Sequence, residues 1–181
     1  MKKNPDLKKV VLFISLTLSL SLSADPILKQ FVSDGGSEAS RLSALVGYKN
    51  ASEIFLNKKI KKEIGTKMVE TVDYKEAFLA FEKSAIEEKN PLSAYAAIYI
   101  INNFSLNPNA KKKYALVHAL NDGQDFCYAK MLLGDLYLRG VDVKINKRQA
   151  HDIYTSINTD TCNIWQSSVL NAKIKLAKRG E

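Results

Sequence analysis

Cys127, Cys162, His118 and His151 are the cysteines and histidines of this 181-residue sequence, and so its natural candidates for metal, redox or near-neutral proton chemistry. Zinc sites bring their ligands in short pairs such as Cys-x-x-Cys or His-x-x-x-His, and neither spacing occurs here. Covalent hydrolysis, metal-assisted hydrolysis and phosphate binding have equally specific signatures. The chain has no Gly-x-Ser-x-Gly, His-Glu-x-x-His, Ser-x-x-Lys or glycine-rich phosphate loop. The sequence therefore motivates no catalytic residue, no cofactor and no metal site, and it reads as a non-enzyme. Two readings of the cysteines stay open: a bridge, or two buried thiols standing in for alanine.

Lysines and tyrosines are more plentiful. Lys58, Lys59, Lys61 and Lys62 surround Ile60, and Lys111, Lys112 and Lys113 form a second cluster. Such runs are solvated helix faces or docking surfaces for an acidic protein or an anionic membrane. Tyr95, Tyr99, Tyr128, Tyr137 and Tyr154 are packing residues between helices, with those on first helices also placed to meet a partner.

The elements that carry these residues begin after a leader. Lys2, Lys3, Lys8 and Lys9 precede a charge-free run from Val10 to Leu22, and small residues follow. This is the layout of a signal peptide, residues 1–23, cut after Ser23 or Ala24. The run is 13 residues, shorter than the roughly 20 a spanning helix needs, so the expected mature chain has no transmembrane segment. Export points to the periplasm, or to secretion, and away from nucleic acid. Removing the leader lowers the formal charge from +8 to +5. Composition, 46% hydrophobic and 25% charged, is that of a globular domain. The domain is expected over 51–181, after an N-terminal extension at 24–50 with one short helix.

Within that domain a spacing recurs. Asp73, Ala77 and Phe81 match Asn146, Ala150 and Tyr154 as cap, small residue and aromatic at steps of four, which share one helix face. A weaker copy puts the cap at Asn107, Pro108 in the first turn, and Ala115 and Ala119 four apart. First helices precede the second and third copies at 91–104 and 126–138, the latter with Ala129, Leu133, Leu136 and Tyr137 on one face. Gly134 predicts a close helix contact, with Ala150 opposite, because glycine costs about 1 kcal/mol in a helix and needs a reason. Gly140 should end that helix in a left-handed conformation, and Val143 should plug the turn. Residues 52–65, with Ile60 and Ile64, read as a degenerate first helix. Trp165, Val169, Ala172 and Leu176 read as the buried stripe of a last, capping helix, with Lys173 on its outer face.

From Cys127 to Tyr154 the sequence resembles the Sel-one-like repeat family, relatives of the tetratricopeptide repeat. Ala129, Leu133, Gly134, Tyr137, Gly140, Val143, Ala150 and Tyr154 agree with the family pattern, while Cys127, Asp142, Asn146 and Gln149 depart from it. The resemblance implies an all-α fold, a right-handed superhelix of antiparallel helix hairpins with a C-terminal capping helix, and binding rather than chemistry. Exported cysteine-rich members from Helicobacter are similar in carrying a signal peptide and cysteines near repeat boundaries. In such a superhelix Cys127 and Cys162 fall near equivalent starts of neighbouring first helices, where a disulfide is expected. The function implied is a periplasmic protein-protein scaffold or adaptor that assembles or stabilises an envelope complex, such as a flagellar motor or secretion machine. Its partner is an envelope protein, acidic if the lysines carry the contact, with Tyr95 and Tyr99 as further contact candidates. The alternatives are an enzyme acting on cell-wall peptides or beta-lactams, and a secreted factor binding host proteins.

Overall fold

The computed structural model describes residues 25–35, 45–64, 66–122 and 126–178. The leader expected at 1–23 and residues 36–40 of the serine- and glycine-rich stretch lie outside them. Eight α-helices and one β-hairpin make up the described residues. They are α1 (Pro26–Ser33), α2 (Leu45–Asn57), β1 (Lys59–Ile64), β2 (Lys67–Val72), α3 (Tyr74–Glu87), α4 (Pro91–Asn103), α5 (Ala110–Asn121), α6 (Cys127–Arg139), α7 (Lys147–Thr155) and α8 (Ile164–Lys178). The fold is thus mainly helical, as expected, and α2 through α8 each pack against the next helix in sequence.

Side-chain caps start the helices where the repeated spacing places them. Asp73 accepts from the Glu76 N–H at 3.0 Å, and Asn146 from the Gln149 N–H at 3.0 Å. Each satisfies an amide that has no partner inside its helix. Four and eight residues beyond these caps, Ala77, Phe81, Ala150 and Tyr154 are all buried. In the middle copy the cap is Asn109 rather than Asn107, accepting from the Lys112 N–H at 2.9 Å. The larger side chains Leu116, Val117 and Leu120 take the inward face of α5, and Ala115 is left half-buried. Counted from the true cap, the positions of alanine and aromatic are held by Lys113 and Val117.

Residues 52–65 do not form one helix. α2 ends at Asn57, and β1 pairs with β2 in antiparallel register, Ile60 opposite Thr71 and Lys61 opposite Glu70. A spacing of four between Ile60 and Ile64 satisfies a period of two as well as one of 3.6. The run Met68-Val69-Glu70-Thr71-Val72 after Gly65-Thr66 has the β-branched content and short glycine-containing connection of a hairpin.

Gly134 makes the close contact its presence predicted, with a different residue opposite. A Cβ built on it would lie 2.3 Å from Cε1 of Tyr154, so it is the tyrosine ring, one turn beyond Ala150, that rests on the glycine. Gly140 ends α6 at φ 69°, and the Val141 N–H reaches back to the Leu136 carbonyl at 3.0 Å. Val143 is half-buried beside it. Cys127, the first residue of α6, is bonded to Cys162, just before α8, with Cα atoms 5.0 Å apart.

The last helix is rotated from its expected orientation. Gln166, Leu170 and Ala177 face inward, whereas Trp165 is 68% and Leu176 56% exposed. Lys173 also turns inward, forming an ion pair with Asp135 at 2.5 Å and lying 5.9 Å from the Tyr154 ring centre. The apolar stripe read from the sequence is real, and it points outward.

The segment 24–50 supplies core. Ile27, Leu28 and Phe31 of α1 and Tyr48 of α2 are buried in the same cluster as Phe81, Leu92, Ile100 and Leu116.

Candidate functional site

α1 packs against α4 and is tied at its two ends to α2 and α8. Asp25 caps α1, accepting from the Ile27 N–H at 2.8 Å, and its second oxygen accepts from the Tyr48 hydroxyl at 2.6 Å. At the other end of α1, Asp34 accepts from the Tyr95 hydroxyl at 2.5 Å and from the Gln166 amide at 3.3 Å. Between these anchors the Phe31 ring meets Tyr95 and Phe126 edge-on, with centroids 5.2 and 5.7 Å away. Burial first, and then the neighbouring carboxylate, pushes the hydroxyls of Tyr48 and Tyr95 far up, so both remain donors. Tyr95, expected to meet a partner, is therefore committed to α1. Tyr99 is half-buried and packs edge-on against Phe104.

The first lysine cluster belongs to the hairpin rather than to a helix face. Lys58 is ion-paired with Glu76, and Lys59 and Lys61 are exposed on β1. The Lys62 side chain lies outside the described ones. The second cluster divides three ways: Lys111 is exposed, Lys112 pairs with Glu82 at 2.7 Å, and Lys113 lines a cleft.

That cleft is an open concavity built by three helices. It lies between α4, α5 and α6 and holds about 170 Å³. Its walls are Ile98, Ile101, Val117, Leu132, Leu136 and Val141. Asn102, Lys113, Asp135 and Arg139 supply the polar lining. A cavity on the order of 150 Å³ admits a benzene ring, so the space suits one aromatic or branched aliphatic group. In the last hairpin the Tyr154 ring fills the space over Gly134, whereas Val117 and Lys113 of α5 line the cleft.

Its polar groups divide by how they are engaged. Asp135 accepts from the Tyr154 hydroxyl at 2.6 Å and is ion-paired with Lys173, so its charge is compensated. Burial and this carboxylate hold the Tyr154 hydroxyl well above its ordinary range. Asn102 is exposed at the rim, and burial, with the nearby Asp34 charge, pushes the Tyr128 hydroxyl up to about 12. Lys113 and Arg139 have no carboxylate partner among the described residues. The site therefore offers an apolar floor and two uncompensated cations.

His118 lies outside the cleft. Its ring lies tilted at 42° to Tyr114 with centroids 4.2 Å apart, its Nε2 is buried without a hydrogen-bond partner, and desolvation lowers its pKa. Among the described residues no three His, Cys, Asp or Glu side chains converge as a metal-binding group, and no helix is long and apolar enough to cross a membrane.

Sequence reading missed the cleft because its lining comes from three helices and Lys113 looked like one member of a solvated run. The available signal was Lys113 standing where the repeat wants alanine, visible once the cap is placed at Asn109. No family model, curated protein or solved structure matches this chain.

Proposed function

We propose that this chain is an exported adaptor that grips an acidic segment of an envelope protein in the cleft between α4, α5 and α6. The observation that carries this reading is an apolar pocket sized for one side chain beside two cations, Lys113 and Arg139, that lack carboxylate partners among the described residues. Burying one apolar anchor is worth about 1.5–3 kcal/mol, and the cations favour encounter with an acidic partner. The helices α2 to α8 are proposed to form a superhelix of Sel-one-like hairpins, supported by the recurring caps Asp73, Asn109 and Asn146. Export to the periplasm is supported by the leader-like first 23 residues and by a disulfide, a bond that persists in oxidising compartments. Assembly or stabilisation of an envelope machine, such as a flagellar motor or secretion apparatus, is the role this compartment and architecture suit by analogy.

Crosslinking in cells, followed by affinity recovery of the tagged protein from the periplasmic fraction and mass spectrometry, tests the reading. One stoichiometric partner is expected, lost by about tenfold in a Lys113→Glu, Arg139→Glu double variant that retains its helical circular dichroism. Undiminished recovery of that partner by the double variant, or an uncut chain confined to the cytoplasm, contradicts it.

A further inference from the structure

The outer face of α8 is a second apolar surface, independent of the cleft. Trp165, Val169, Ala172 and Leu176 follow one another at steps of four, three and four, the spacing of a coiled-coil seam. Trp165 and Leu176 are 68% and 56% exposed, Ala172 is exposed, and Val169 is half-buried at the edge of the packed core. The opposite face of the helix is satisfied, with Gln166, Leu170 and Ala177 buried. This outer face presents the chain's single tryptophan.

Charge and shape select what covers it. No Asp or Glu occurs in α8, and Lys175 flanks the seam while Lys178 follows it, both exposed. Pairing with a second copy of α8 would set a seam flanked by lysines against another of the same kind. Insertion into a lipid surface favours a broad apolar face, whereas this stripe is widened only at its N-terminal end, by exposed Ile164, and is otherwise bordered by Ser168, Asn171 and Lys175. A narrow seam with a cation at its flank matches one helix whose own flanking positions carry carboxylates. Tryptophan is among the residues that dominate such contacts.

We propose that the outer face of α8 docks an acidic amphipathic helix of a partner protein, packed along Trp165, Val169, Ala172 and Leu176 with its carboxylates against Lys175. Binding here does not require the cleft, so the two surfaces stand or fall separately.

The tryptophan supplies its own readout. Purified protein is titrated with a synthetic helical peptide of three heptads, leucine at the seam and glutamate at the flanks, while Trp165 emission is recorded. A blue shift that saturates and weakens with salt is expected. Lys175→Glu should weaken binding about two- to fivefold and Leu176→Glu about tenfold or more. The Lys113→Glu, Arg139→Glu variant should bind the peptide unchanged. All these positions are at the surface, and circular dichroism checks that each variant folds. No shift, or an equal shift with a peptide flanked by lysines, overturns the proposal. So does a shift that appears on raising protein concentration alone, or a larger one with phosphatidylglycerol vesicles, since these assign the face to a second copy or to membrane.

Discussion

Asp135 gathers three elements through two hydrogen-bonded partners. It lies on α6, accepts from Tyr154 of α7 and is ion-paired with Lys173 of α8, and the Tyr154 ring so held leaves no room above Gly134. Alanine is the better helix former by about 1 kcal/mol, so helix propensity alone predicts that Gly134→Ala stabilises. The packing predicts the reverse. Its methyl group would lie 2.3 Å from a buried ring carbon, and overpacking of this kind costs about 1–3 kcal/mol. Thermal melts decide between the two signs. Lys173→Ala should also destabilise, by about 1–3 kcal/mol, because it removes a charged partner from the largely buried Asp135. Lys144→Ala, at an exposed position, should stay within about 0.5 kcal/mol of the unmodified protein. Equal melting of the Lys173 and Lys144 variants would show that the inward lysine contributes nothing.

Helices with polar caps and buried small residues were legible in sequence, because a cap and a four-residue step report local geometry. Asp73, Asn146 and Gly140 belong to this class, whereas the pairing of Cys127 with Cys162, 35 residues apart, was expected only through the family resemblance. Orientation was less legible. A helix with apolar residues on two faces, such as α8, does not say which face its neighbour covers, and a four-residue spacing did not distinguish the β-hairpin from a helix. The role of α1 was invisible for another reason: its anchors, Tyr48, Tyr95 and Gln166, are distant in sequence, the last by 132 residues from Asp34. Tyr95→Phe should leave an oxygen of buried Asp34 without its donor and cost about 1–3 kcal/mol. Hydrogen exchange should then accelerate in α1 more than in α3, whereas uniform acceleration would argue that α1 is not held through this bond. The disulfide lies beside the C-terminal end of α1, where Gly35 neighbours Phe126 and Thr161. Replacing Cys127 and Cys162 together by alanine should cost about 2–4 kcal/mol, read as a lower midpoint in urea. An unchanged midpoint would mean that the unfolded chain gains nothing from the lost constraint.

For the molecule as a whole, these contacts close the chain on itself. α1 ties α2, α4 and α8 together, the bridge fixes α6 to the segment before α8, and the first-helix tyrosine expected to meet a partner is already engaged. Among the surfaces that stay open on the described residues are the cleft and the outer seam of α8. A photo-crosslinking residue introduced at Leu132, a wall of the cleft, tests the cleft in the cell. After irradiation, a crosslink to one partner is expected, mapping to a segment with an apolar residue flanked by carboxylates, and Lys113→Glu with Arg139→Glu should abolish it. A crosslink that persists in that double variant, or the same products from a probe at exposed Lys144, would contradict the assignment of partner binding to the cleft.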